Sequence, residues 1–278
     1  MKLPNVTVIG LGCIGGSLAM SLTSDGAIVR GWSTSPEDCA MARAFGIEVP
    51  EGPLEQTMTD AEMVVIAVPV QAIAGVAMAA LRGAPAEAAI VHCGGVQSRA
   101  SLHLDDATYS RVIGAHPLAG SHESGFAAAR ADLFAGCTVS IESRRTEAQL
   151  EWLKWIWGRV GAARLEYRPA EAHDAMMVWI SHLPQLASTA LAATFAAAHI
   201  DPASVGPGAR DTTRLAASAF DQWSSLVQAQ PAVLDAALAR LQSEVAGLRE
   251  ALSRGDQRAL HVIWNSARDW RRSAEPGA

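Results

Sequence analysis

The run Gly10-Leu11-Gly12-Cys13-Ile14-Gly15 constrains this chain more than any other stretch. It joins a β-branched, apolar segment at residues 5–10 to a helical segment at 13–26. In that context the spacing has a physical meaning. Gly10 permits a tight turn, Gly12 lets backbone approach a pyrophosphate, and Gly15 lets the helix pack closely on the strand. The helix N-terminus adds unpaired N–H groups and positive dipole. Further short, almost continuously apolar runs at 27–33, 61–69, 88–94 and 110–116 read as strands. A helix at 35–46 carries Pro36 in its first turn. Such runs suit parallel strands covered on both faces. Residues 1–150 are therefore expected to form an α/β, Rossmann-type doubly wound sheet that binds a dinucleotide. Its expected cofactor contacts are Gly10, Gly12, Ile14, Gly15, Ser33, Pro69 and Gly94.

The second predicted strand bears on which dinucleotide binds. An NAD site usually places Asp or Glu there to hold the ribose hydroxyls. This chain has Trp32-Ser33-Thr34-Ser35, with no carboxylate until Glu37. Hydroxyls assisted by Arg30 or Arg43 suit a 2′-phosphate, so the reading leans to NADP over NAD.

From Thr146 onward the pattern is helical, apart from a strand-like run at 162–167. Helices are expected at 146–161, 169–199, 209–219, 221–230, 231–255 and 257–273, with Pro184 kinking or restarting the second. Residues 151–278 thus read as an all-helical domain. Its apolar positions exceed what one small bundle buries, which points to a homodimer. The net charge of −6 argues against nucleic acid or an anionic membrane as partner. The longest apolar region, 172–200, is interrupted by His173, Asp174, His182, Pro184 and Gln185, so it is not read as a membrane span. Neither a signal peptide nor metal-ligand cysteine spacing is found. Cys13, Cys39, Cys93 and Cys137 read as reduced thiols of a cytoplasmic protein.

Polar groups punctuate these apolar runs in three places. Ser181 and His182 stand just before Pro184, and Arg210, Asp211 and Arg214 follow two glycines. Arginines four apart share a helix side, and guanidinium forks clamp carboxylates. In residues 114–125, GAHPLAGSHESG, His116 ends a predicted strand at the sheet edge where such folds bind ligands. His122 reads as a solvent-facing loop residue, and His92 as a strand residue.

Four ordered blocks make a more specific pattern: GLGCIGGSLA, HPLAGSHESG, HDAMMVWISHLPQLAS and GARDTTRLAASAFDQW. Through them the chain resembles the prephenate/arogenate dehydrogenase family of tyrosine biosynthesis. The resemblance implies a Rossmann domain joined to a helical dimerisation domain. It also implies NAD(P)-dependent oxidation of a cyclohexadienyl carbinol with loss of carbon dioxide, giving 4-hydroxyphenylpyruvate from prephenate or tyrosine from arogenate. It assigns His116 as the catalytic histidine, His182 as a substrate-pocket histidine and Arg214 as the carboxylate-gripping arginine. Asp211 lies near that arginine, Trp223 lines the pocket, and Ser121 lies near the substrate, a small dicarboxylate. An ordinary imidazole accepts the hydroxyl proton at neutral pH and loses that capacity below about pH 6.5.

The match breaks after the fourth strand. The family pattern Asp-x-Gly-Ser-Val-Lys is here His92-Cys93-Gly94-Gly95-Val96-Gln97. Gly95 removes a hydroxyl that holds the imidazole, leaving Ser98 or a water as substitutes, and Gln97 replaces a lysine. This motivates two rival readings: a non-catalytic dinucleotide-binding dimer acting as sensor or scaffold, and a dehydrogenase of a modified prephenate. No regulatory module is expected beyond the helical domain.

Overall fold

The computed structural model describes residues 4–120, 123–143 and 146–274. Its framework is a seven-stranded sheet built from β1 (Asn5–Ile9), β2 (Ile28–Trp32), β3 (Met63–Ile66), β4 (Ala89–His92), β5 (Val112–Pro117), β6 (Thr138–Glu142) and β7 (Arg164–Arg168). The strand order is β2-β1-β3-β4-β5-β6-β7. The first five strands run parallel, β6 is antiparallel to β5, and β7 is parallel to β6. The chain reverses its direction of travel across the sheet at β1, which pairs with both β2 and β3. That is the switch point where open α/β sheets bind ligands.

Helices cover the sheet on both faces: α1 (Cys13–Ser24), α2 (Pro36–Phe45), α3 (Val70–Gly83), α4 (Arg99–Leu102), α5 (Asp106–Arg111) and α6 (Glu147–Arg159). Two hydrophobic cores result, and the strand pleat divides its side chains between them. Met63 and Val65 of β3 enter one core, while Val64 and Ile66 enter the other. The first core takes Leu18 and Leu22 of α1, Ala42 of α2 and Trp157 of α6. The second takes Ile73, Ala77 and Ala80 of α3. Double coverage is why the strands read as continuous apolar runs. Strand β6 escaped the sequence analysis because its alternation, Thr-Val-Ser-Ile-Glu, contains polar residues that are nevertheless buried: Ser140 and Glu142 are both fully inaccessible.

Beyond the sheet come α7 (Ala170–Met177), a π-helical turn (Val178–His182), α8 (Leu183–Ala197), α9 (Pro207–Thr213) and α10 (Phe220–Ala229). The expected consequence of Pro184 takes a specific form. Proline lacks an N–H and its ring collides with the carbonyl four residues back, at a cost of ~3 kcal/mol in a regular helix. Widening the turn just ahead of it relieves the collision and reaims His182.

Residues Met1–Gln230 form one compact unit and Pro231–Ala278 a second. The second is a helical pair, α11 (Pro231–Arg254) and α12 (Gln257–Ser273), turned by Gly255 at φ +63° and capped by the Asp256 carboxylate on Ala259 N–H. Among the described residues no helix is long and apolar enough to cross a membrane.

Candidate active site

The Gly-rich loop behaves as its spacing demands. Gly10 lies at φ +92°, and a Cβ there would stand 2.4 Å from the Ala67 carbonyl oxygen. A Cβ on Gly15 would stand 1.9 Å from the Gly10 carbonyl oxygen, so helix and strand approach as closely as backbone permits. Gly12 is different, because a Cβ there meets nothing within 4 Å. Gly12 is the N-cap of α1, with no side-chain cap and no acidic residue in the first turn. Its amide dipole is therefore available to an anion. Open space at Gly12 and an uncapped helix end fit a dinucleotide pyrophosphate.

Above this loop opens a cavity of about 870 Å³, lined by Gly12, Ile14 and Pro69 on one side and by Ser181, Gln185, Arg214 and Trp223 on the other. Gly10 and Gly15 stand behind the loop as packing residues. Gly94 packs against Ile73, where a Cβ would come within 2.5 Å of that side chain. The Ser33 hydroxyl accepts from Ser35 N–H at 3.2 Å. Arg30 pairs with Glu48 and Asp60, and Arg43 donates to the Val49 carbonyl from two nitrogens. Arg214 reaches the cavity from the 3-10 turn that follows α9, and among the described residues no carboxylate pairs with it. Arg210 and Asp211 lie exposed on α9 and do not line the cavity. Ser121 and His122 fall outside the described residues.

One layer deeper lies a cluster of imidazoles. His116 is the penultimate residue of β5, and its Nδ1 lies 3.1 Å from Nε2 of His173 on α7. Nδ1 of His173 lies 2.9 Å from Oδ1 of Asp174. That carboxylate also accepts from the backbone N–H of Gln97 at 2.7 Å and of Ser98 at 3.0 Å. Burial works to raise the Asp174 carboxyl, but the hydrogen bonds from His173, Ser98 and Gln97 outweigh it and hold the group below its ordinary range. His116 is pushed down to about 3, first by burial and then by His173, His92 and His182, with Asp174 opposing. It is a neutral base well below the pH 6.5 of an ordinary imidazole. His182 is pushed down to about 4, mainly by burial. Both of its ring nitrogens are buried without a hydrogen-bond partner among the described residues, and its ring meets Trp223 edge-on at 6.1 Å. An unmade bond at such a group costs about 1–3 kcal/mol, which a polar ligand atom restores.

The departures at 95 and 97 have structural consequences. Gly95 faces the imidazole: a Cβ there would stand 3.9 Å from His116 Nε2 and 3.4 Å from Leu226 of α10. Gln97 is buried and donates from Nε2 to the Ser140 carbonyl at 2.8 Å, a neutral role that needs no counter-ion. Ser98 does not take over from the missing hydroxyl. Its Oγ caps α4 by accepting from Ser101 N–H and donates to the Ser101 hydroxyl. The His116 ring is met instead by His173, itself bonded to Asp174, two residues that the sequence shows only as interruptions of an apolar run. The available signal was a His-Asp pair in apolar surroundings, since such groups are rarely buried unless they are partnered.

Comparison with known proteins now bears on this geometry. The family model for the prephenate dehydrogenase nucleotide-binding domain matches residues 18–166, and that for the prephenate dehydrogenase dimerisation domain matches 169–265. The chain belongs to the prephenate dehydrogenase family. Its Gly-rich loop lies just ahead of the matched residues. Among its relatives, the prephenate dehydrogenase of Bacillus subtilis is 29% identical over 96% of this chain and 75% of that protein. The cyclohexadienyl dehydrogenase of Zymomonas mobilis is 28% identical over 91% of this chain and 89% of its own. A solved A. aeolicus prephenate dehydrogenase, in complex with hydroxyphenyl propionate and NAD+, superposes with a TM-score of 0.86 at 24% identity, covering 99% of both chains. That likeness concerns the fold, and it bears out the expected Rossmann-type sheet followed by helices.

Proposed function

We propose that this chain, an oxidoreductase of the prephenate dehydrogenase family, catalyses the NAD(P)-dependent oxidative decarboxylation of prephenate or arogenate, with His116 as the base. The observation that carries this reading is the Nδ1 contact of His116, which leaves Nε2 as the nitrogen available to a substrate hydroxyl. The bound dinucleotide supplies a hydride acceptor; Gly12, Ile14 and Pro69 are the residues here that would hold it. As the carbinol carbon loses hydride, its hydroxyl proton passes to His116 Nε2. The ring carboxylate then departs as carbon dioxide, and its bonding pair completes the aromatic ring. Arg214 grips a substrate carboxylate, Trp223 walls the ring, and His182 offers a polar contact that burial has left unmade. Ser121 and Asp211 complete the proposed substrate set.

The contacts near β2 favour NAD. Arg30 and Arg43 are committed to protein acceptors, and Glu37 and Asp38 in the first turn of α2 repel a 2′-phosphate. The lean to NADP is thereby reversed, because the two arginines a 2′-phosphate would need are spent on protein acceptors. We assign the nucleotide-binding role to residues 1–150 and the dimerisation and substrate role to 151–278. A homodimer is supported by α12, where Trp264 and Trp270 are 70% and 71% exposed. Four cysteines without disulfides suit the cytoplasm.

The test is a grid of NAD or NADP with prephenate or arogenate, read by absorbance of the reduced cofactor. At least one combination is expected to turn over, with NAD ahead of NADP. Silence in all four, with dinucleotide binding intact, would leave the two rival readings, a sensor or scaffold and a dehydrogenase of a modified prephenate, in its place.

A further inference from the structure

We propose that His173, anchored by Asp174, is the positioning residue that holds His116 in the tautomer whose Nε2 is bare. The proposal rests on the reading of His116 as the base. The proton assignment follows link by link. Asp174 accepts two backbone N–H groups, from Gln97 and Ser98, one on each oxygen. A carboxylate so placed is ionised and has no proton to give, so His173 Nδ1, at 2.9 Å, donates to it. With the N–H of His173 committed to Asp174 at Nδ1, its Nε2 is assigned as the acceptor. His116 Nδ1, at 3.1 Å, then donates, and its single proton is spent there. Nε2 of His116 is left with its lone pair directed to the side where Gly95 carries no side chain. The two rings meet at 83° with centroids 5.3 Å apart, an edge-on contact that points a nitrogen of one at a nitrogen of the other.

The anchor also restrains the backbone. Asp174 ties α7 to the loop between β4 and α4, and the His173 ring cannot turn without breaking its bond to that anchored carboxylate. His173 is itself fully buried, and its ring nitrogens face His116 and Asp174. It acts on the reaction only through His116. The arrangement explains how a chain with glycine at 95 keeps its imidazole oriented: the hold comes from behind the ring.

The experiment combines one spectrum with two variants. In nitrogen-15 histidine NMR of the parent protein at neutral pH, His116 is expected to show a protonated Nδ1 and an unprotonated Nε2. A protonated Nε2 overturns the proposal. His173→Phe removes the acceptor; kcat is expected to fall by at least about 100-fold, as when a catalytic imidazole loses its tautomer. Substrate KM and dinucleotide Kd should stay near the parent values. His173→Gln keeps both an acceptor and a donor and is expected to recover most of that loss. Parental kcat in a folded His173→Phe protein contradicts the proposal, and so does a His173→Gln protein no better than His173→Phe. If His173→Phe fails to fold, the parent spectrum and the Gln variant decide. A parent protein inert toward both substrates removes the functional reading alone, because the nitrogen spectrum still judges the tautomer.

Discussion

Gly10 to Gly15 form one contiguous loop that works through its backbone. The imidazole cluster, in contrast, gathers His92, His116, His173 and His182 from β4, β5, α7 and the π-helical turn. The loop has no functional side chain, and its requirement is the absence of atoms. The cluster depends on nitrogen positions defined by partners up to 77 residues away in the chain. Local spacing suffices for the first, while the second exists only after the helices have packed on the sheet. The loop should therefore respond to added bulk with lost binding or lost fold, whereas the cluster should respond to altered protonation with lost chemistry.

The largest effect is expected at Gly15→Ala. A methyl 1.9 Å from the Gly10 carbonyl forces α1 off β1. Overpacking of this kind costs about 1–3 kcal/mol or more, so both Tm and dinucleotide affinity should drop. A parental Tm would mean that the junction has slack. Next comes Arg214→Ala, which removes the cation from the cavity. A charge-assisted bond worth about 1.5–3 kcal/mol corresponds to a rise in substrate KM of roughly 10- to 100-fold. An unchanged KM would hand the carboxylate to another group. Gly12→Ala sharpens the contrast with Gly15→Ala, since its methyl meets nothing within 4 Å among the described residues. Tm should hold while dinucleotide Kd rises by about tenfold, the worth of one hydrogen bond. Equal loss of Tm at both positions would erase the distinction between packing glycine and ligand glycine.

A further prediction concerns the pH dependence of stability. His116 and His182 have folded pKa values of about 3 and about 4, below the ordinary 6.5. Between those values the unfolded chain binds more protons than the folded one. Their stabilising contribution is therefore complete above about pH 6.5 and is lost as pH falls toward 4 and then 3. Tm measured from neutrality to about pH 4.5 should decline, and His182→Phe should flatten that decline. The acid limb of kcat/KM should likewise lie below the pH 6.5 expected of an unburied imidazole.

Much of the fold was legible because double coverage of the sheet makes strands apolar and helices periodic. The runs around β1 to β5 and β7 announced themselves in this way. Strand β6 did not, because Ser140 and Glu142 are buried polar residues in a short alternating stretch. At the site, the loop glycines could be read from spacing, and Arg214 and Trp223 from the family resemblance. Asp211 comes from the same resemblance; it lies exposed on α9 and does not line the cavity. His173 could not be read in the same way, since its significance is a distance to His116 across 57 residues. The pairing of Arg30 with Glu48 and Asp60 was equally hidden.

The most direct test of the account is single-turnover hydride transfer by His116→Asn, with cofactor and substrate both saturating. Asparagine keeps a polar side chain but supplies no nitrogen lone pair at the Nε2 position. The rate should fall by about 100-fold or more while dinucleotide affinity stays at the parental value. Hydride transfer at close to the parental rate would contradict the assignment of His116 as the base, and with it the division of labour between the two regions.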